Sequence, residues 1–324
     1  MANRFVVVLF SALLVFGAAT EISATGASGV HSRGTGPVFS GDFADPFVLQ
    51  VGVRFYAYAT NSGGRNVPFA VSRAGRSARL DGDALPVLPS WSEPGSVWAP
   101  SVVATRGGYR LYYTTRDRAS GRQCVSVASA ALPSGPFVDD SSEPLVCQVE
   151  LGGSIDPSPV VVADRVSLVW KNDGNCCSIP TRIWSAPLTA DGRAVVGAPV
   201  ALISADQPWE GGLVEGPSMI ADGDRFLLFY SANRWDSDAY ATGYAICDTV
   251  AGPCEKPNAD AWLRSDDRVA GPGGGSALRL GHGPAFFVYA AWTPGAVGYD
   301  QPGAARRLSV ERLVLDDGRP VLRR

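Results

Sequence analysis

Short runs of alternating apolar and polar residues recur along the chain, each followed by a polar turn and a second run rich in aromatic residues. The first, ADPFVLQVGVRFYAYATN, begins at Ala44. The others are WAPSVVATRGGYRLYYTTR, IDPSPVVVADRVSLVWKND, VEGPSMIADGDRFLLFYSAN and GGGSALRLGHGPAFFVYAAW. Alternation with a period of two is typical of half-buried β-strands. Each copy therefore predicts a pair of short strands that follows a Pro or Gly step.

The five copies are evenly spaced. The Pro or Gly steps lie 54, 57, 60 and 58 residues apart, measured at Pro46, Pro100, Pro157, Pro217 and Gly275. The position just before each of these residues is called the anchor. A unit of this length holds about four short strands. Such units repeated around an axis form a β-propeller, which leaves only short, protected sheet edges. The sequence therefore predicts an all-β fold, a five-bladed β-propeller, with each anchor at the start of an innermost strand. A structural turn explains one Asp-Pro step, but not five phased copies.

The composition agrees with this fold class. The chain has 324 residues, of which 46% are hydrophobic, enough for a sizeable core. Its 37 glycines and 24 prolines favour turns and short strands over long helices. The formal charge is −3 and no Lys/Arg-rich block is present. We therefore expect neither nucleic acid nor an anionic membrane as a partner.

The first residues are expected to be a targeting segment. Arg4 precedes an apolar run from Phe5 to Ala19, which is short for a membrane span and typical of a secretory signal. An uncleaved membrane anchor is the alternative. We expect residues 1–35 to be a signal peptide and flexible leader that includes His31, and residues 36–324 to be the propeller domain. The mature protein is then a secreted, extracellular monomer with no membrane partner.

Export would permit disulfide bonds among the six cysteines. Six cysteines allow 15 pairings. Cys247 and Cys254 bracket a turn-like segment, and Cys124 and Cys147 bracket a strand, a turn and a strand. The adjacent Cys176–Cys177 pair either forms a vicinal disulfide or remains two thiols. A metal site is a weaker interpretation, because no His or further Cys stands nearby at ligand spacing.

Acidic residues occupy the anchor in three of the five copies. They are Asp45, Asp156 and Glu215, the last with one additional residue before its proline, whereas Ala99 and Gly274 stand in copies two and five. Acids on equivalent strands should converge on one pocket, where they shift each other's pKa. Glycoside hydrolysis needs one carboxylic acid and one opposing carboxylate, about 6.5–9.5 Å apart when the anomer is inverted. A Ca²⁺ site is the alternative, which is disfavoured because the acids lie on separate blades.

Aromatic residues near the anchors suit a sugar site, because aromatic faces stack on the C–H faces of sugars. Trp98 precedes the second anchor directly and is predicted to contact substrate at the same central end as the acids. Trp209, Trp235 and Tyr240 lie in the region of the fourth copy. For each of these three, packing in the core is the favoured interpretation.

Taken together, these residues resemble the glycoside hydrolases of family 43, from about Ser40 to Leu322. The resemblance rests on Asp-Pro in the first copy, WAPS in the second, IDPS in the third and EGPS in the fourth. It implies a five-bladed propeller and an inverting mechanism. By motif, it implies that Asp45 is the general base, that Glu215 is the general acid, and that Asp156 orients the acid and tunes its pKa.

The resemblance also implies a substrate-contacting arginine in the segment ARRLSVERLVLDDGRP. Arg306 fits that place best, with Arg307 next to it, and a surface salt bridge is the alternative role. Glu210 is the nearest rival to Glu215 as the acid. It lacks the Gly-Pro-Ser that follows Glu215.

One departure concerns the channel. Family members often carry a His in the fifth copy, beside a bound cation or water, where this chain has Gly274 within GPGGGS. The place of a second His is taken by Ala290, and His282 lies in a GHG turn that is not expected to substitute. We therefore expect no metal and no cofactor.

The expected function is that of an inverting glycosidase acting on an arabinose- or xylose-containing oligosaccharide or polysaccharide. Resemblance in KNDG…PTRIWSAPL and CDTVAGPC favours an exo-acting α-L-arabinofuranosidase. A β-xylosidase or endo-arabinanase of the same fold stays open, because channel depth and loops decide between them. A non-catalytic sugar-binding propeller is an alternative of another class. A Ser-His-Asp hydrolase has little support, with two histidines in the chain and no Gly-x-Ser-x-Gly.

Overall fold

Antiparallel β-strands make up nearly all of the regular structure. The computed structural model describes residues 39, 41–73, 78–281, 283–316 and 319–323. Within them, in chain order, the strands are β1 (Phe47–Val51), β2 (Arg54–Tyr58), β3 (Pro68–Arg73), β4 (Arg79–Asp83), β5 (Ser92–Thr105), β6 (Gly108–Asp117), β7 (Gln123–Ala130), β8 (Ser154–Val162), β9 (Arg165–Asn172), β10 (Arg182–Pro187), β11 (Val200–Ser204), β12 (Val214–Asp222), β13 (Arg225–Ala232), β14 (Ala241–Cys247), β15 (Cys254–Glu255), β16 (Ala270–Arg279), β17 (Ala285–Trp292), β18 (Arg307–Asp316) and β19 (Arg319–Arg323). The helical turns of the same residues are short 3₁₀ turns at Val149–Leu151, Gly174–Cys177 and Pro208–Glu210.

Consecutive strands form five sheets, which are the blades of a propeller. The sheets are β1–β4, β5–β7, β8–β11, β12–β15 and β16–β19. The first strands contact one another in the ring order β1, β5, β8, β12, β16 and back to β1. The prediction of a five-bladed β-propeller with the anchors on the innermost strands is therefore confirmed.

The second blade departs from the four-stranded pattern. Its sheet has three strands. On the outer side of β7, the following segment makes isolated bridges instead, between Val125 and Val146 and between Ser129 and Val138. The disulfide Cys124–Cys147 fastens this segment to β7.

Apolar side chains pack between every pair of neighbouring blades. Each of the five interfaces has its own buried cluster, represented by Leu111 between blades 1 and 2, Trp170 between 2 and 3, Tyr230 between 3 and 4, Phe287 between 4 and 5, and Phe43 between 5 and 1. Burial of both faces of every blade therefore holds the ring together. At the closing interface, the Phe43 N–H donates to the Arg306 carbonyl at 2.8 Å, which brings the start of blade 1 beside blade 5.

Each inner strand has a residue with positive φ at its anchor. These residues are Asp45, Ala99, Asp156, Gly216 and Gly274, with φ of 49°, 44°, 59°, 55° and 58°. In blades 2 to 5, the register with the second strand also shifts at this point, as in a β-bulge. Because an alanine and two glycines share the conformation with two acids, the fold imposes it. Acids stand at two of the five positions that adopt this positive φ.

All six cysteines are paired. The disulfides are Cys124–Cys147, Cys176–Cys177 and Cys247–Cys254. Cys124–Cys147 and Cys247–Cys254 join cysteines that enclose short segments, as the sequence indicated. Cys176–Cys177 is a vicinal disulfide rather than two thiols.

The expected signal peptide and leader, residues 1–35, lie outside the described residues, as do His31 and His282. Every described residue belongs to one compact unit, Gly34–Arg324. Among the described residues, no helix is long and apolar enough to span a lipid bilayer.

Candidate active site

A cavity of about 700 Å³ opens at the end of the propeller where the anchors lie. All five anchor regions line it, together with loops that connect second and third strands. Its lining includes all five residues that the sequence predicted for the site, Asp45, Trp98, Asp156, Glu215 and Arg306. The volume lies within the range of small-molecule sites, so a sugar residue fits it.

Asp45 is held at both carboxylate oxygens. Thr60 Oγ1 donates to Oδ2 at 2.6 Å, and Arg306 Nη2 donates to Oδ1 at 2.8 Å. The Asp45 side chain remains 22% exposed, and it lines the cavity. Each carboxylate oxygen has two lone pairs. Asp45 can therefore accept a further hydrogen bond from a water in the cavity while its orientation is fixed.

Arg306 is almost completely buried beneath the cavity. Its guanidinium lies 5.8 Å from the ring centroids of both Trp235 and Tyr240, and its Nε has no hydrogen-bond partner. Its backbone N–H donates to the Asp42 carboxylate at 2.9 Å. Arg307, at the start of β18, does not line the cavity. Of the two arginines, Arg306 is therefore the one that reaches the acids.

Gly274 stands where the resemblance placed a histidine. A Cβ there would lie 2.3 Å from Asp45 Oδ1 and 2.9 Å from Arg306 Nη2. The ion pair thus occupies the space of a side chain. Ala290, at the second histidine position, is fully buried. Neither residue offers a side-chain ligand atom, and no group of three or more His, Cys, Asp or Glu within the described ranges is placed to hold a metal. The residues do not fit a cation at these positions.

The substitution Gly274→Ala is expected to displace the Asp45 carboxylate, which the sequence predicts to be the general base. We therefore expect kcat/KM for glycoside hydrolysis to fall by at least about tenfold, because displacement of such a group by a fraction of an ångström is costly. Kinetics on the best substrate would measure this loss. Gly281→Ala is the matched control, since Gly281 has a φ of +56° and nothing within 4 Å of its added Cβ. If both variants lost activity equally, backbone strain rather than displacement of Asp45 would be responsible.

Glu215 is also held at both oxygens. The Tyr240 hydroxyl donates to Oε1 at 2.7 Å, and Lys171 Nζ donates to Oε2 at 3.0 Å. Lys171 is fully buried and donates in addition to Asn175 Oδ1 at 2.6 Å. Burial of an ammonium requires such partners. The contacts fix the Glu215 side chain at the cavity wall, where it keeps 12% exposure.

Asp156 acts on the backbone next to Glu215. Its Oδ2 accepts a hydrogen bond from the Gly216 N–H at 2.8 Å. Burial raises the pKa of Asp156 to about 7, and the nearby charge of Glu215 adds to this rise. Asp156 therefore positions the strand segment that carries Glu215 and holds a proton in the neutral pH range.

Asp173 is a fourth acid of the cavity. Its pKa is raised to about 6, mainly by burial, while the charge of Lys171 opposes this rise and the charge of Glu215 contributes to it. Lys171 binds Glu215 and opposes the rise in the pKa of both Asp156 and Asp173, so the three acids share the influence of one ammonium group. Protons in such a cluster belong to the group as a whole rather than to one residue. The cluster can supply a proton at its cavity face.

A repeated contact explains how the anchors are fixed. The residue opposite the position before each anchor lies on the second strand or, in blade 1, just after it. It is Thr60, Thr114, Lys171, Ser231 or Ala290 in blades 1 to 5. In blades 1, 2 and 4 its hydroxyl accepts a hydrogen bond from the anchor N–H of the next blade, at 3.0, 3.1 and 2.8 Å. Blade 3 breaks the pattern. Lys171 replaces the hydroxyl and turns to Glu215, while Asp156 takes over the N–H of Gly216.

Glu215 does not occupy the same position as the other two acids. Gly216 has the positive φ of the anchor, and Glu215 pairs with Ser231 one position earlier. Trp98 occupies the corresponding position in blade 2, opposite Thr114. The apparent extra residue in the fourth copy is therefore the anchor itself.

Sequence reasoning missed Lys171 and Asp173 and favoured a core position for Tyr240. The signal for Lys171 was available, because a lysine replaces the hydroxyl in one copy of an aligned repeat. Tyr240 is 2% exposed, yet its hydroxyl reaches Glu215. Burial raises the pKa of Tyr240 well above its usual value, so its hydroxyl acts as a neutral donor.

Glu210, the rival acid, lies outside the cavity. It is fully buried and accepts hydrogen bonds from the backbone of Asp206 and Gln207, from the Tyr230 hydroxyl and from Lys256 Nζ. These bonds fasten the 3₁₀ turn before β12. Its role in the structure is therefore to hold that turn.

Aromatic side chains form part of the cavity rim. Trp98 is half-buried, and Trp235 is 41% exposed. Trp235 stacks on Trp292 at 6.3 Å between ring centroids and contacts Tyr299 at 5.7 Å. Trp209 instead packs against Tyr230. The core interpretation holds for Trp209, whereas Trp235 lines the cavity.

Comparisons with known proteins agree with this architecture. The model of "Glycosyl hydrolases family 43" matches residues 35–320. A thermostable family-43 glycoside hydrolase of known structure is 27% identical, with a TM-score of 0.76, over 87% of this chain and 92% of that one. An endo-1,4-β-xylanase from Bacteroides thetaiotaomicron VPI-5482 shares the fold, at 24% identity and a TM-score of 0.74, over 88% and 95% of the two chains.

A curated relative is also similar in sequence. The β-D-galactofuranosidase xynD of Aspergillus niger is 23% identical over 240 residues. The match covers 69% of this chain and 66% of that protein. The chain thus spans just under two thirds of the length of this relative.

Proposed function

Since the chain belongs to glycosyl hydrolases family 43, we propose that it is an inverting O-glycosyl hydrolase that removes terminal α-L-arabinofuranosyl residues from arabinose-containing saccharides. The observation that carries the proposal is the convergence of Asp45, Asp156 and Glu215, from three blades, on one cavity of sugar size. Paired carboxylates in one site are what glycosidic cleavage requires.

In the proposed mechanism, Asp45 is the general base. It removes a proton from a water molecule, which attacks the anomeric carbon from the side opposite the leaving group. Glu215 is the general acid and transfers a proton to the glycosidic oxygen as the C–O bond breaks. The products are the sugar with an inverted anomeric centre and the free hydroxyl of the leaving group. Asp156 is a positioning residue, through the Gly216 N–H.

Two observations support a furanoside substrate. The related Aspergillus niger protein carries the name β-D-galactofuranosidase. β-D-Galactofuranosides and α-L-arabinofuranosides share the same ring configuration and differ by one exocyclic CH₂OH group. The resemblance in the sequence also favours arabinofuranose.

The three disulfides support secretion, because such bonds persist in oxidising compartments.

The proposal predicts wild-type turnover of 4-nitrophenyl α-L-arabinofuranoside, faster than that of the corresponding β-D-galactofuranoside and β-D-xyloside. NMR of the first product formed should show the inverted anomer. Linear arabinan should release monosaccharide. Release of oligosaccharides would indicate an endo-arabinanase, and preference for the xyloside would indicate a β-xylosidase. Sugar binding without turnover on any substrate would contradict the proposal and favour a non-catalytic sugar-binding protein.

A further inference from the structure

The vicinal disulfide lies at the wall of the cavity. We call residues Asp173–Cys177, between β9 and β10, the disulfide turn. Asp173, Asn175 and Cys176 line the cavity, and Cys176 is exposed. From outside the turn, Arg122 Nη1 lies 2.7 Å from Cys177 Sγ and 3.5 Å from Cys176 Sγ. Apart from Asp173, which belongs to the acid cluster, the turn has no role in the proposed mechanism.

The disulfide turn is held in one conformation by its surroundings. The buried Asn172 side chain donates to the carbonyls of Leu151 and Pro180 at 3.1 and 3.2 Å. Its Oδ1 accepts from the Arg182 N–H at 2.8 Å and from Trp184 Nε1 at 3.1 Å. The whole hydrogen-bonding capacity of this amide is thereby used at the base of the loop. Such support is what a preformed binding surface requires.

The turn lies on the side of the cavity that holds the proposed acid. Lys171 Nζ joins the two directly, because it donates both to Asn175 Oδ1 and to Glu215 Oε2. The partners of Asp45, in contrast, are Thr60 and Arg306. In glycoside hydrolysis, the acid protonates the leaving-group oxygen. The leaving group therefore departs on the side of Glu215.

Resting on the proposed function, we propose that the disulfide turn is the binding subsite for the leaving-group saccharide. The Cys176–Cys177 disulfide supplies a compact apolar surface for the C–H face of a sugar ring. Asp173 supplies a carboxylate that accepts hydrogen bonds from sugar hydroxyls. Asn175 supplies an amide NH₂ donor beside the carbonyl oxygen that Lys171 uses. A substrate with a sugar leaving group would use all three.

Charge at the turn supports this assignment. The pKa of Asp173 is raised to about 6, mainly by burial. Above that pH the side chain is an acceptor that carries charge, and hydrogen bonds of hydroxyl groups to a charged acceptor are stronger than those to a neutral one. A saccharide hydroxyl provides such a donor, whereas a nitrophenyl group provides none.

The test compares two substrates of the same glycone, an α-1,5-linked arabinotriose and 4-nitrophenyl α-L-arabinofuranoside. In the double variant Cys176→Ala/Cys177→Ala, we expect the ratio of kcat/KM for the triose to kcat/KM for the aryl glycoside to fall at least about tenfold, in line with lost contacts to a charged or ordered partner. The change should arise mainly in KM for the triose. Asp173→Asn should shift the ratio in the same direction, and it keeps the test valid if the double variant does not fold.

Cys247→Ala/Cys254→Ala is the matched control, because this disulfide joins β14 to β15 and lies outside the cavity. It should leave the substrate ratio within about twofold. Equal losses on both substrates in the turn variants would overturn the subsite. A fall in the ratio that arises in kcat for the triose, with KM unchanged, would also overturn it and indicate an effect on Glu215 alone. If the wild type turned over neither substrate, the proposed function itself would be contradicted, and the subsite with it. The two failures are therefore distinguishable.

Discussion

Replacing Asp45 by Asn is expected to lower kcat/KM about 10²- to 10⁴-fold on every glycoside that the wild type hydrolyses. The amide has the same shape as the carboxylate but cannot take a proton from the attacking water. Water attack is required whatever the leaving group is. The loss should therefore be similar for 4-nitrophenyl glycosides and for oligosaccharides, and it should appear in kcat.

Asp164→Asn provides the matched control for this substitution. Asp164 has an 89% exposed side chain that pairs with Arg106 at the surface. The activity of the Asp164→Asn variant should therefore equal that of the wild type. Thermal denaturation would establish that both variants fold. If a folded Asp45→Asn protein retained activity within about tenfold of the wild type, the assignment of Asp45 as the base would be wrong, since that falls below the range of general-base effects.

The fold could be predicted from the sequence because it depends on repetition. Period-two alternation specifies strands, and five copies at nearly equal spacing specify blades, so no single contact had to be known. The second blade shows the limit of this reasoning. Its fourth strand is replaced by isolated bridges near Val138 and Val146, in a stretch whose length matches that of the other copies.

The acids could be predicted for the same reason, but their partners could not. Asp45 and Asp156 stand at equivalent places in a repeat, and the fold brings equivalent places to one end of the axis. Tyr240 belongs to a loop between β13 and β14, where no repeat constrains the position. Its approach to Glu215 depends on Gly273, where a Cβ would lie 2.3 Å from the Tyr240 ring. Such a fit is a tertiary property.

The glycine run of the fifth blade has a physical explanation that the sequence alone did not provide. Resemblance pointed to a missing histidine at Gly274. In the structure, Gly273 accommodates the ring of Tyr240, and Gly274 accommodates the Asp45–Arg306 pair. Both proposed catalytic groups, Asp45 and Glu215, thus have a partner whose position requires a glycine. The run is consistent with an intact site rather than with loss of activity.

Replacing Glu215 by Gln should give a loss that depends on the leaving group, unlike the loss in Asp45→Asn. For arabino-oligosaccharides, whose departing alkoxide needs a proton, we expect kcat/KM to fall about 10²- to 10⁴-fold. For 4-nitrophenyl α-L-arabinofuranoside, whose phenolate leaves readily without protonation, we expect a much smaller fall. Steady-state kinetics on both substrates measures the difference, with the exposed Glu143→Gln as the matched control.

The pH profile of the same variant gives an independent test. In the wild type, the pKa of Asp156, raised to about 7 by burial and by the charge of Glu215, places the loss of the cluster's proton near neutrality. The protonated form of the cluster predominates below about pH 7. The value of kcat/KM for oligosaccharides should therefore fall as the pH rises through about 7. In Glu215→Gln, the residual aryl-glycosidase activity needs no proton from this cluster, and the fall at alkaline pH should disappear. Retention of that fall, or equal losses on both substrates, would mean that another group protonates the leaving oxygen.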